Sequence, residues 1–331
     1  MREVNGILSR TDTAAYSSRV TNSLAARETM SSDFFGGWES TDLALFARYG
    51  SPKAPENGFV IDFFGVKTSV EFVPWAKRND GMVFSDPPIP DDGVRAEAIE
   101  YFALLDAFSK SCDDQFCMIE LGASYAPWAC TAGVLAIRHG KKQITLRAVE
   151  ASSFFHRMIP RNFEVNGLNN PSAGVFVDWQ AIHGAVGIKP GNLFFPVVSS
   201  AYENGGQAAS EAVDVDYCGR SVAHEPVPVR MLDEILEGVG TVDLLHCDIQ
   251  GSEEEVLIYG AALLTQKVRH MFIGTHSRKI EGLLIDCFHR HGWILERERP
   301  VAFQYRAELT SVTGMTTRDG GQYWTNNRLV I

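Results

Sequence analysis

The chain has 331 residues, with 41 acidic against 30 basic side chains and a formal net charge of −11. That surplus of acid argues against a nucleic-acid duplex or an anionic membrane as main partner, since both reward a basic face. An apolar share of 45% supports a sizeable core, and no run approaches the ~18 apolar residues of a membrane-spanning helix.

Six cysteines, at 112, 117, 130, 218, 247 and 287, show no CxxC or Cys/His spacing. Neither a zinc site nor a disulfide framework is indicated. The first residues lack the apolar core of a signal peptide, so the expected setting is the reducing cytoplasm.

Residues 1–30 are polar and rich in Ser, Thr and Arg, the composition of a flexible arm. Residues 31–93 form an accessory region. In it, Trp38 to Tyr49 has the apolar spacing of a helix, with Ser40, Thr41 or Asp42 as its cap. The stretch from Gly58 to Val73 reads as a β-hairpin turning at Gly65. Pro87 to Gly93 is a proline-rich linker.

Residues 94–331 form the main domain. A helix over about 94–110 is followed by alternating strands and helices, with strands at about 116–121, 143–149, 174–178, 242–248, 268–274 and 293–298. Helices are expected to follow over 152–166, 230–237, 252–264 and 279–291. The third strand has the option of continuing towards Ile182. A long insertion at 187–227 precedes the helix at 230–237. A terminal strand at about 322–331 follows strand six without a helix, which implies one antiparallel member. Such alternation predicts an α/β domain with a mostly parallel sheet covered on both faces.

Ligands in such sheets bind beyond the carboxyl ends of the strands. The first strand offers Glu120, Gly122, Ala123 and Ser124, with Pro127 opening the next helix. The second ends on Glu150 and Ala151, and the carboxylate there is a natural acceptor for two ribose hydroxyls. A GxGxxG pattern is absent, because Ser124 and Pro127 stand where further glycines would let backbone approach a pyrophosphate. A nucleoside without phosphate removes that demand, which favours S-adenosylmethionine over NAD. Asp178, His183 and Ala185 are candidates for the adenine pocket. Trp128 and Trp179 suit either a pocket wall or the core.

The segments ELGASYAPW (120–128), RAVEAS (147–152), HGAVGIKPGNLFFP (183–196) and above all VDLLHCDIQGSEEEVL (242–257) resemble the FkbM-type family of S-adenosylmethionine-dependent methyltransferases. The resemblance spans about 112–298. It implies the class I methyltransferase fold, a Rossmann-like seven-stranded sheet whose last strand is antiparallel, and methyl transfer to oxygen on sugars or natural products. Gln250 stands where the family often has Glu, and His246 where Lys is frequent. An amide cannot serve as a base or carry charge, so Gln250 is left with orienting the acceptor by hydrogen bonding or merely satisfying the turn.

Methyl transfer mainly requires alignment, and a hydroxyl acceptor must also lose a proton. Asp248 at the tip of the fourth strand faces the methionine end of the cofactor, or else caps the following helix. His276 just past the fifth strand is the preferred general base, against the plainer reading of a loop histidine bonded to backbone. Glu253 suits the first turn of a helix. Asp248, Glu253 and His276 could between them hold a divalent cation, which spacing does not decide. The expected function is O-methylation of a carbohydrate or surface glycan, with a polyketide or other small metabolite as alternative acceptor. A non-catalytic adenosyl-ligand binding or scaffold protein is the reading from another class.

Overall fold

In the computed structural model the described residues are 36–331, except 52, 90–96, 113, 204, 215–220, 310, 312 and 331. The arm read over residues 1–30 lies outside them, as does most of the proline-rich linker. Residues Gly37–Ile331 form one compact unit.

The unit opens with α1 (Leu43–Tyr49), preceded by a 3-10 turn over Ser40–Asp42. Asp42 is the N-cap of this helix, as expected, but makes no side-chain cap bond to it; it joins Glu39 instead in a reciprocal box that caps the 3-10 turn. The hairpin follows as β1 (Phe59–Ile61) and β2 (Lys67–Ser69), paired antiparallel, with Gly65 at φ +76° in the turn. Next come α2 (Ala98–Ser109), β3 (Gln115–Leu121), α3 (Pro127–Arg138) and β4 (Gln143–Glu150).

The helix expected over 152–166 is two pieces, α4 (Ser153–His156) and α5 (Ile159–Val165). Pro160 has no N–H for a continuous helix and sits in the first turn of the second piece. β5 (Phe176–His183) is longer than its apolar run suggested, because its pairing with β4 continues through Glu150 and His183.

The insertion carries β6 (Ala185–Val186), β7 (Asn192–Pro196) and β8 (His224–Arg230), a small sheet of their own in the order β6-β8-β7. After α6 (Leu232–Ile235) and β9 (Val242–Cys247), α7 (Glu253–Tyr259) and α8 (Ala261–Lys267) replace one expected helix, meeting at Gly260. The chain continues with β10 (Val268–Thr275), α9 (Arg278–Arg290), β11 (Trp293–Arg299), β12 (Ala302–Phe303), β13 (Thr316–Arg318) and β14 (Gly320–Asn326).

Seven strands form the main sheet in the order β11-β14-β10-β9-β3-β4-β5. The neighbouring pairs from β10 to β5 are parallel, and β14 runs antiparallel between β10 and β11. Both faces are buried. Met118, Leu146, Leu244 and Phe272 belong to one apolar cluster, while their neighbours Ile119, Leu245 and Ile273 belong to another. That alternation follows from the two-residue strand period and explains why the strands read as continuous apolar runs. The order reverses at β3, which lies between β4 and β9. The carboxyl ends of β3, β4 and β9 therefore meet at the switch point.

Candidate active site

A cleft of about 310 Å³ lies over those strand ends. Its floor is the turn after β3. Gly122 has φ +77°, and a β-carbon there would overlap the backbone carbonyl oxygen of Asp248. Glycine is required at this position on two counts, conformation and contact. Ser124 and Ala126 are also left-handed, at φ +50° and +59°. Ser124 thus holds the geometry of the missing second glycine while carrying a side chain, and its hydroxyl oxygen is buried without a hydrogen-bond partner.

Two carboxylates fix this turn from below. Glu120 is 1% exposed and accepts the N–H groups of Trp128 (3.3 Å) and Ala129 (2.7 Å), so it caps α3 from the strand before it. Glu150 accepts from Ser124 N (2.6 Å) and Ser152 N (2.6 Å) and ties the turns after β3 and β4 together. Burial pushes each carboxyl up to about 7. For Glu120 the opposing pull comes from His246 and the two N–H donors, and for Glu150 from the N–H groups of Ser152, Ser124 and Ala151. A carboxylate offers about four lone-pair sites, so Glu150 keeps capacity for further donors.

Beyond β9, Gln250 (φ +53°) and Gly251 (φ +99°) form a second left-handed turn. The Gln250 amide donates to Asp248 Oδ1 at 2.8 Å. Glu253 is fully buried and accepts from Ile249 N (3.1 Å) and Gly251 N (3.0 Å), holding that turn from the start of α7. It also takes His276 Nδ1 at 3.0 Å, while His276 Nε2 lies 3.3 Å from Asp248 Oδ1. Burial alone would lower the pKa of His276, but Glu253, Asp248 and Asp319 outweigh it and raise the ring to about 10.

Ligand atoms of Asp248, Glu253 and His276 lie within 4.8 Å of one another. The two carboxylates face different nitrogens of one ring, however, and Glu253 is already engaged by backbone N–H groups. This arrangement pairs the ring with both carboxylates and orients it.

The sequence profile of the Methyltransferase FkbM domain matches residues 120–289, from the capping carboxylate of β3 through α9. The chain belongs to the FkbM methyltransferase family. A protein of Jannaschia sp. (strain CCS1) with a provisional methyltransferase name is 27% identical over 258 residues, covering 77% of this chain and 88% of that protein. Among solved structures, the FkbM methyltransferase of Methylobacillus flagellatus KT is similar at 11% identity and a TM-score of 0.34, over 68% of this chain and 54% of that one. Precorrin-6y C5,15-methyltransferase of Geobacter metallireducens GS-15 is similar at 11% identity and a TM-score of 0.37, over 71% and 90%.

In this FkbM methyltransferase, Glu120, Gly122, Ala123, Ser124, Glu150, Ala151, Ala185, Asp248, Gln250 and His276 all line the one cleft. Two expected residues are not among its lining. Asp178 is the third residue of β5, opposite Thr145 and near the strand's amino end, where its carboxylate pairs with Arg147 at 2.6 Å. The register of β5 carries the strand on for five more residues, so the strand end that faces the cleft is at Gly184 and Ala185. His183 instead sets its Nε2 3.1 Å from the Ala151 carbonyl oxygen and its ring 5.1 Å from that of His156. The ion pairs around His276 favour its charged ring.

Sequence reasoning missed one wall altogether. Glu100 from α2 accepts from His246 Nε2 and Trp128 Nε1, both at 3.1 Å, and the His246 ring stacks between Trp128 and Phe272. Only the departure of His246 from the family's Lys hinted at it. Gly274 and Asp319 were missed too. A β-carbon at Gly274 would come within 3.2 Å of Asp248 Cγ, so this glycine makes room for the carboxylate.

Seven carboxylates line the cleft (Glu97, Glu100, Glu120, Glu150, Glu203, Asp248 and Asp319), with no Lys or Arg among its described residues. A second cavity of about 210 Å³ shares His276 and Asp319 with it and is otherwise lined by Thr313, Gly314, Thr316, Thr317 and Arg318. No helix among the described residues is long and apolar enough to cross a membrane.

Proposed function

We propose that this methyltransferase uses S-adenosylmethionine to methylate a hydroxyl of a carbohydrate, free or on a surface glycan, and does so in the cytoplasm. The five described cysteines are free thiols, which suits a reducing compartment. The single observation behind the acceptor class is the second cavity joined to the cleft at His276. Its walls are threonine hydroxyls, a guanidinium and a carboxylate, groups that reward a ligand with many hydroxyls. A polyketide would set apolar carbon against these polar walls at a cost in desolvation.

The residues present fit the nucleoside cofactor. The Ser124 hydroxyl is buried and unpartnered at the turn, Gly122 brings backbone close, and Glu150 has lone pairs left for ribose hydroxyls. Phe155, Val186 and Phe195 give the cleft apolar surface beside Ala185, suited to a purine. Bound there, S-adenosylmethionine supplies an electrophilic methyl group.

The chain does the rest. Asp248 and the Gln250 amide present polar atoms to the acceptor hydroxyl, and His276 Nε2 takes its proton. Glu253 acts as a positioning residue, fixing the ring through Nδ1 and leaving Nε2 for the proton. Methyl transfer from labelled cofactor to a panel of glycosides and polyketide-type metabolites tests the reading. Methyl ethers on the glycosides are expected, whereas methylation confined to apolar metabolites, or to nitrogen, would refute it.

A further inference from the structure

His276 is 3% exposed and sits between carboxylates on different elements. Asp248 bears on it from the turn after β9, Glu253 from α7 and Asp319 from the link into β14. β13 contributes the neutral Thr316 hydroxyl, which donates to the His276 carbonyl at 2.6 Å, and the Arg318 side chain, which lines the second cavity together with His276 and Asp319. The Arg299 charge of β11 bears on Asp319. Nδ1 is held by Glu253, and Nε2, buried and without a hydrogen-bond partner, lies 3.3 Å from Asp248 Oδ1. No Lys or Arg among the described residues lines that cleft, so the ring is the cation that Asp248 has at hand.

This imposes a competition. A base for the acceptor hydroxyl must be neutral, yet in the empty cleft the same carboxylates favour the charged ring. A positively charged ligand in an acidic cleft without Lys or Arg satisfies part of that demand itself. We propose that His276 is a base armed by its own cofactor: the imidazolium gives its Nε2 proton to solvent when S-adenosylmethionine binds, and S-adenosylhomocysteine, whose sulfur is neutral, does not drive this release. The balance is one imidazolium yielding one imidazole and one proton delivered to the buffer. The cleft then carries one compensating positive charge before transfer and again after it, when Nε2 holds the acceptor's proton beside a neutral thioether. The inference rests on the cofactor reading above and adds a linkage that binding alone does not require.

The test is calorimetric titration of the full chain with each ligand at pH 8.5, in Tris and in EPPS, whose protonation enthalpies differ. That pH lies above the buried carboxyls at about 7 and below the ring at about 10. A unit charge within a few ångströms, at the effective dielectric of a protein site, changes a proton affinity by roughly a hundredfold. The S-adenosylmethionine titration should therefore release about half a proton or more beyond that of S-adenosylhomocysteine. His276→Gln should abolish this excess, a comparison that also cancels proton exchange by the ligands' own amino groups.

Should that variant misfold, carbon-13 labelling of the nine histidines in the wild type gives the same answer. One ring signal should pass from its charged to its neutral position with S-adenosylmethionine only. Equal proton counts for the two ligands, or an excess that survives His276→Gln, overturns the linkage while leaving the function intact. Binding of neither ligand overturns the cofactor reading itself.

Discussion

The turns after β3 and after β9 are built alike but charged differently. Each has left-handed residues held by a buried carboxylate that collects backbone N–H groups: Glu120 and Glu150 at the first, Glu253 at the second. At the first turn burial dominates, and both carboxyls sit near 7. At the second a histidine joins the carboxylate, and the ion pairs dominate burial, raising His276 to about 10. The same motif of capped turn therefore holds buried carboxyls near 7 in one place and an ion-paired histidine in the other. One partner makes the difference.

The comparison breaks first at Gly122. Replacing it with Ala puts a β-carbon into the Asp248 carbonyl oxygen at a left-handed φ, and since that contact joins the two turns, both should fail. A loss of about 4 kcal/mol or more in chemical denaturation is expected. His276→Gln should cut kcat by roughly a hundredfold to ten-thousandfold, the span of a lost general base, with S-adenosylhomocysteine affinity nearly kept. Glu150→Ala should do the reverse, weakening S-adenosylhomocysteine by roughly thirty- to a hundredfold in a binding titration.

Stability against pH separates the turns without any ligand. Both kinds of group have a folded pKa above the unfolded value, so in each case stability is present at low pH and lost as pH rises. The windows differ. The carboxyl contribution fades from about 4.5 to about 7, and that of His276 from about 6.5 to about 10. Glu120→Gln should flatten the first slope of unfolding temperature and His276→Gln the second; a variant that flattened both would show the turns to be one coupled unit. The smallest effect belongs to Ser124→Gly, which relieves a left-handed φ at the expense of chain entropy and should shift stability by less than about 1 kcal/mol.

The sheet was legible because its strands are buried on both faces and announce themselves as apolar runs between glycines. Their carboxyl ends follow from topology, which is why Glu120, Gly122, Glu150, Asp248 and His276 could be placed in one cleft before any coordinates. What failed depends on register and on distant chain. Asp178 looked like a strand end because the sequence turns polar there, yet pairing with β4 carries β5 on to His183. Glu100 and Asp319 reach the cleft from α2 and from the link into β14, 146 residues from His246 and 43 from His276, distances over which no local pattern operates. The charge of His276 was equally hidden, since it comes from three carboxylates that only the fold assembles.

The central claim is that the cleft at the switch point is a nucleoside-cofactor site read by Glu150. Calorimetric titration of S-adenosylhomocysteine into the wild-type chain and into Glu150→Ala tests it directly. One-to-one binding by the wild type, weakened by roughly thirty- to a hundredfold in the variant, is the predicted result. No binding by the wild type, or equal affinity in the two proteins, would contradict it.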